Sequence, residues 1–154
     1  GADMSMTTTG YAALAAGESW HYVGSGGGEP AFGTDWANAA GDRNLAFRIR
    51  EAGVVDIQGY IENTDAPNTP GSALFTLPTG YHPTSDTFQG FAIIETDSFS
   101  TDGYIAAPVN VSTTGVVSVS GIDSDPFGVA GPYVGVAQYV WIQGQFFLTP
   151  ASAP

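Results

Sequence analysis

The strongest constraint on the fold of this chain is the alternation of large apolar residues with polar ones between positions 45 and 61. Successive side chains of a β-strand point to opposite faces of the sheet, so a period of two predicts two strands with one apolar face each. The loop at residues 51–53 ends in Gly53, which fits a three-residue hairpin loop whose last position has positive φ. The resulting register places Phe47 opposite Ile57 and predicts a β-hairpin.

A second hairpin of the same kind is predicted over residues 109–119. Its three-residue loop ends in Gly115, and Val111 falls opposite Val117. Gly, Pro, Asn or Asp residues bound the other strand-like runs. These runs occur at residues 19–23, 73–77, 91–95, 104–106 and 139–148.

The remaining sequence favours strands and turns over helices. Residues 9–16 are the only notable helix-compatible stretch, and residues 35–40 fit one short turn. About eight short strands, together with 21 glycines and 10 prolines, predict an all-β domain. We expect an antiparallel β-sandwich of jelly-roll type, with a closed barrel as the alternative. Residues 10–154 form a single domain in this interpretation, and residues 1–9 are a flexible N-terminal segment or the processed or recombinant end of a longer protein.

The last predicted strand, residues 139–148, has bulky apolar side chains on both faces. Ile142 and Phe146 point to one side, and Trp141 and Phe147 point to the other. Such a strand is usually buried twice, once in its own core and once against another surface. Charged residues make up only 12% of the chain, whereas roughly 25% is typical of globular proteins. These two features predict an oligomer.

The charge balance excludes several classes of partner. The chain has 15 acidic residues, three arginines and no lysine, for a formal net charge of −12. This charge repels nucleic acids and anionic membrane surfaces.

No apolar run approaches the 18 or more residues of a membrane-spanning helix, so we expect a soluble chain with no membrane insertion. The absence of cysteine excludes disulfides and thiolate chemistry.

Several motifs follow one another in an order that resembles a known family. They are Gly-Glu-Pro-Ala-Phe at residues 28–32 followed by Trp36, a strand bearing Arg48 before the hairpin segment 53–59, and Phe-Thr-Leu-Pro-Thr-Gly-Tyr-His-Pro at residues 75–83. Over residues 18–148 the chain resembles the C-terminal head domain of bacteriophage tail-fibre, minor tail or receptor-binding proteins.

This resemblance implies a trimeric β-sandwich knob at the tip of a fibre on the virion. It also implies adhesion to a host-surface saccharide or protein, with the rest of the tail fibre N-terminal to this domain. The chain departs from the family pattern at His82, where Arg is expected, and in the acidic loop at residues 122–132. In the motif at residues 75–83, Pro78 and Pro83 predict a sharp corner, with Gly80 left-handed, His82 extended and the Tyr81 ring lying across the end of the sandwich.

The sequence has no clear catalytic pattern. None of its serines lies in the Gly-x-Ser-x-Gly motif of a nucleophile elbow. The only two histidines, His21 and His82, are better explained as satisfied or surface side chains than as bases. The spacing of the five glutamates does not single out a catalytic pair. We therefore expect a non-enzymatic protein that uses no cofactor and no metal.

Three regions are candidates for binding a saccharide, which needs an aromatic ring and polar hydrogen-bonding groups. The favoured one is the loop carrying Asp123, Asp125 and Tyr133, because long loops at the end of a sandwich commonly carry recognition. The second is Trp141 with Gln143 on the last strand. The alternatives are that the loop is only a solvated turn and that Trp141 fills a seam between subunits.

A third candidate is Trp36 with Asp35 and Asn38, although Trp36 is better explained as packed within the entry motif.

The three arginines, at positions 43, 48 and 50, have two interpretations. They form a structural ion-pair band, or they recognise an anionic sugar or phosphate. The hairpin register favours the first, with Arg48 paired to Asp56.

Together with these features, the resemblance implies the homotrimeric head of a phage tail fibre, which attaches the virion to its host. The alternatives are the fibre tip of a contractile injection system, a carbohydrate-binding module and, less favoured, a glycoside hydrolase or depolymerase.

Overall fold

The computed structural model describes residues 17–51, 53–66, 70–96, 103–119 and 137–148. These ranges contain nine strands and one 3-10 turn at Thr79–Tyr81. The strands are β1 (His21–Tyr22), β2 (Trp36–Asn38), β3 (Ala46–Glu51), β4 (Val54–Asn63), β5 (Ala73–Thr76), β6 (Thr87–Thr96), β7 (Gly103–Val111), β8 (Val116–Val119) and β9 (Ala137–Phe147). The all-β prediction is confirmed.

All nine strands belong to one antiparallel sheet. The order across the sheet is β1-β3-β4-β9-β6-β7-β8-β5, and β2 pairs with the second half of β4. The sheet curls, because Phe47 on β3 stacks on Phe75 on β5 with ring centroids 5.8 Å apart although these strands lie near opposite edges. A bridge between Phe32 and Phe75 helps to join the two edges.

Both predicted hairpins have the expected registers. Phe47 pairs with Ile57, and Val111 pairs with Val117. Gly53 and Gly115 both have φ of 83°, as the hairpin loops require. One detail differs, because residue 51 belongs to β3 and pairs with residue 54 across a bulge, so that the connection between the strands is shorter than predicted.

The concave side of the curled sheet holds the hydrophobic core. Alternate residues of the central strands point inward, as the period of two predicted. The largest fully buried side chains are Phe47, Phe75, Phe146, Leu45, Ile61, Leu74, Leu77, Ile94, Val23, Val55, Val117 and Val140.

Three local predictions were wrong. Residues 36–38 form strand β2 rather than a turn, because they pair with the end of β4. The run at 104–106 and the first strand of the second hairpin form the single strand β7, which continues through Pro108. Pro108 lacks an amide donor, and the pairing register of β6 shifts between Phe88 and Phe91, where it faces Pro108. Gly80 does not have positive φ, because the corner is a 3-10 turn.

The backbone at the end of that corner is as predicted. His82 is extended, with φ of −80° and ψ of 130°. The Tyr81 ring packs edge-on against Phe47, with centroids 4.9 Å apart. The helix-compatible stretch at residues 9–16 lies outside the described residues.

Candidate functional site

The outer face of strands β4, β9 and β6 presents aromatic and apolar side chains in register. Tyr60, Trp141 and Ile93 lie side by side in one row across the three strands. The neighbouring row contains Gln58, Gln143 and Phe91. We call this surface the outer aromatic face.

Aromatic rings on this face stack closely. Tyr60 lies 4.3 Å from Trp141 and 5.5 Å from Tyr139, measured between ring centroids, and both pairs are nearly parallel. Tyr104 of β7 extends the cluster, with its ring 6.1 Å from that of Trp141. Phe91 and Tyr104 are 58% and 61% exposed, so the face offers a large apolar surface to solvent.

A row with two acidic side chains borders the stacked rings. Glu62, Tyr139 and Glu95 form the next row of the register. Partial burial raises the pKa of the Tyr60 phenol, and the nearby Glu95 carboxylate is the next cause. Neither glutamate forms an ion pair with any residue in the described ranges. Among the described residues, this end of the outer aromatic face therefore carries negative charge that no ion pair compensates.

A cleft of about 220 Å³ opens at the other end of the face. Its polar groups include the guanidinium of Arg43, whose Nη1 donates a 3.0 Å hydrogen bond to Gln58 Oε1. The full lining consists of Asp42, Arg43, Gln58, Gly59, Phe91, Ile93, Trp141, Ile142 and Gln143. An aromatic ring beside amide and charged groups has the composition of a saccharide subsite.

The structure brings two of the predicted ligand-binding residues together, since Trp141 and Gln143 both line this cleft. Asp123, Asp125 and Tyr133 lie outside the described residues.

The third candidate region does not form a ligand site around its tryptophan. Trp36 is buried, and its Nε1 donates a 2.7 Å hydrogen bond to the Gly71 carbonyl. Asn38 is also used structurally, because its Oδ1 accepts a 2.8 Å bond from the Leu45 amide. The packed interpretation of Trp36 is confirmed.

The predicted partners Arg48 and Asp56 face each other across β3 and β4, with Arg48 Nε 3.8 Å from Asp56 Oδ2. Arg50 is closer to the same carboxylate, at 3.1 Å. The Arg48 guanidinium also lies over the Trp20 ring, 4.4 Å from its centroid. Asp56 is therefore shared between two arginines, and Arg43 is separate from this group.

A cluster that the sequence did not predict surrounds His21. Its Nδ1 lies 2.9 Å from Glu29 Oε1, and its Nε2 lies 3.1 Å from the Tyr81 hydroxyl. Glu18 accepts hydrogen bonds from the Tyr81 hydroxyl and from the Ile49 amide, both 2.7 Å long. These contacts satisfy His21 and tie segments of the sheet together, so we assign the cluster a structural role. The sequence does not reveal this cluster, because its residues are far apart in the chain, with Tyr81 60 residues from His21.

Sequence reasoning named Arg43 only among the three arginines of an ion-pair band or an anionic-sugar site, and it missed other cleft residues, namely Gln58, Phe91 and Ile93. A signal was available for the last three, because the same alternation that buries Ile57, Ala92 and Ile94 places their neighbours on the outer face. Arg43 precedes β3, so no periodicity indicates its position.

The part of the chain that the structure describes contains no group of three or more His, Asp or Glu residues able to hold a metal ion. Within the same residues, no helix has the length and hydrophobicity needed to cross a membrane. Comparisons with known protein families, curated proteins and solved structures give no match to this chain.

Proposed function

We propose that this chain is the receptor-binding tip of a bacteriophage tail fibre and attaches the virion to a saccharide on the host surface. The observation that carries the proposal is the half-buried stack of Tyr60 and Trp141 beside a cleft lined by Gln58, Gln143 and Arg43. A sugar ring has an apolar face that packs on an aromatic side chain and hydroxyls that bond to amides and charged groups. The resemblance of the sequence to phage fibre heads supplies the biological setting.

We further propose that the curled sheet acts as a jelly-roll-like β-sandwich head within a homotrimer. Phe147, at the end of β9, is 43% exposed and lies on the outer face with the group formed by Arg48, Arg50 and Asp56. This second part of the outer face is separate from the cleft. A trimer contact there would cover apolar surface while leaving three clefts open, and several weak sites on one particle give avidity.

Binding to host envelope polysaccharide tests the proposal. The wild-type protein should be retained on the immobilised polysaccharide, and W141A should lose most of this retention. Y22A is the matched control, because Tyr22 is an exposed aromatic residue on β1 that does not line the cleft. Equal retention of W141A and wild type would contradict the assignment of the site.

The second candidate is a carbohydrate-binding module, which the same aromatic face supports. Oligomeric state separates the two, since a trimer favours the fibre tip and a monomer favours the module. A fibre tip on a contractile injection system shares the same binding experiment and differs in the particle that carries it. A depolymerase would release reducing ends from the polysaccharide, whereas an attachment domain retains it intact.

A further inference from the structure

Arg43 differs from the other two arginines of the chain, because it forms no ion pair with any described residue. Arg48 and Arg50 both lie beside the Asp56 carboxylate, at 3.8 and 3.1 Å. The guanidinium of Arg43 instead lines the cleft, where its Nη1 donates a 3.0 Å hydrogen bond to Gln58 Oε1. Among the described residues, the cleft therefore holds a cation whose charge is available to a ligand.

The contacts around Arg43 hold it in place at both ends. Its main-chain carbonyl accepts a 2.8 Å bond from the Tyr60 amide, and its own amide donates a 2.7 Å bond to Asp42 Oδ1. Apart from the bond to Gln58, the guanidinium donors have no partner among the described residues. These donors lie in one plane, and a carboxylate can accept two of them in parallel. The cleft therefore presents a positioned pair of donors to a ligand carboxylate.

The other groups of the cleft suit a sugar ring. Gln58 pairs with Gln143 across β4 and β9, and Phe91 pairs with Gln143 on the other side. The Gln143 amide and the Gln58 Nε2 have no hydrogen-bond partner within the described ranges, so both are available to hydroxyls. The exposed ring of Phe91 and the Trp141 ring supply apolar surface for the face of the sugar.

The nearby carboxylates leave room for an anionic group at Arg43. Asp42 lines the cleft, but its Oδ1 is used by a main-chain amide, and its Oδ2, which has no partner among the described residues, can accept a sugar hydroxyl. Glu62 lies four residues along β4 from Gln58 and so about 13 Å away, beyond the roughly 8 Å screening length of physiological salt. The formal charge of −12 repels an anion from a distance, so attraction must come from direct contact with Arg43.

We propose that the cleft of the outer aromatic face binds an acidic sugar, namely a uronic acid residue, whose carboxylate pairs with Arg43. This inference rests on the proposed saccharide-binding function and specifies its ligand class. The sugar ring packs against Trp141, and its hydroxyls bond to the two glutamine amides.

Oligosaccharides that differ only at the carboxyl group test the inference. Oligomers of glucuronic and galacturonic acid, and their methyl esters of equal length, are titrated into the protein by calorimetry at about pH 7 and about 0.15 M salt, where carboxyls are ionised. We expect at least one acidic oligomer to bind about tenfold more tightly than its ester. R43Q should lower the affinity for this acid about tenfold. R43K should lower it by less, because lysine keeps the charge but lacks the planar pair of donors.

Two further variants serve as controls. R48Q removes the same charge from the group around Asp56, which does not line the cleft, and should keep the preference for the acid. W141A should weaken the binding of acid and ester alike, because the ring packs on the sugar and not on its carboxylate.

The outcomes separate this inference from the proposed function. Equal affinity for acid and ester, with both lost in W141A, would overturn the acidic class and leave saccharide binding intact. An equal loss of preference in R43Q and R48Q would also overturn it, because general charge would then be the cause. If no oligomer binds, the acidic class is wrong, and retention on host polysaccharide decides saccharide binding separately. If oligoglutamate binds and no sugar does, the ligand is an acidic peptide, and the saccharide function itself is wrong.

Discussion

The hydroxyl of Tyr81 donates a 2.7 Å hydrogen bond to Glu18 Oε1 and thereby joins the turn after β5 to the segment before β1. These two segments lie at opposite edges of the strand order. The bond accompanies the packing of the Tyr81 ring on Phe47 and helps to hold the sheet in its curled form.

Removal of this hydroxyl should destabilise the fold. In Y81F the ring packing is retained, but Glu18 loses one donor while keeping the Ile49 amide, and His21 Nε2 loses the hydroxyl that lies 3.1 Å away. We expect the free energy of unfolding, measured with urea, to fall by about 1–2 kcal/mol. Y22F is the control, because Tyr22 is exposed and its side chain forms no hydrogen bond with any described residue, and its stability should change by less than about 0.5 kcal/mol. An equal effect of both variants would contradict the role of the Tyr81 bond.

The same residue predicts a loss of stability at alkaline pH. Burial raises the pKa of the Tyr81 phenol above its ordinary value of 10.0, and the hydrogen bond to Glu18 raises it further. The unfolded chain therefore loses this proton near pH 10 while the folded chain retains it. The stabilisation is fully present below pH 10 and is lost as the pH rises towards the folded pKa.

Denaturation curves at roughly pH 8 and roughly pH 11 measure this effect. The free energy of unfolding of the wild type should fall between the two, and Y81F should fall by less. The other six tyrosines are common to both proteins, so their titration cancels in the comparison. Parallel decreases in the two proteins would show that Tyr81 is not responsible.

Gly59 on β4 should not tolerate a side chain. A Cβ atom at this position would overlap the Cα of Leu45 and lie 2.8 Å from its backbone nitrogen. We expect G59A to lower the free energy of unfolding by about 1–3 kcal/mol, because backbone must shift to accept the methyl group. G80A is the matched control, since a Cβ atom added at Gly80 would meet no other atom within 4 Å and this glycine has no positive φ. Comparable melting temperatures for the two variants would contradict this packing.

Arg48 should matter for assembly more than for the fold of one chain. The formal charge of −12 per chain makes three copies repel one another, and a cation at the proposed contact reduces this repulsion. R48Q leaves Asp56 paired with Arg50, so each chain should stay folded. The proposed trimer, measured by light scattering, should dissociate at a higher protein concentration in R48Q than in the wild type. R43Q removes the same charge from the cleft and should assemble like the wild type. A trimer of unchanged mass and melting temperature in R48Q would remove Arg48 from the contact.

Local features of the sequence predicted the hairpins because the interactions that form them are local. The register of β3 and β4 follows from a glycine at the end of a short loop and from residues within about ten positions of it. The outward direction of Trp141 and Gln143 follows from alternation alone. The alternation of apolar and polar residues therefore predicted which side chains lie on each face of a strand.

The sequence by itself determined the all-β class, the two hairpin registers and the split of each strand into an inner and an outer side. Only the tertiary structure decided that β9 lies between β4 and β6, which brings Tyr60, Trp141 and Ile93 into one row, and that Glu18, Glu29 and Tyr81 meet around His21. The physical reason is that a strand's periodicity specifies which side chains share a face, whereas its neighbours depend on packing between segments far apart in the chain.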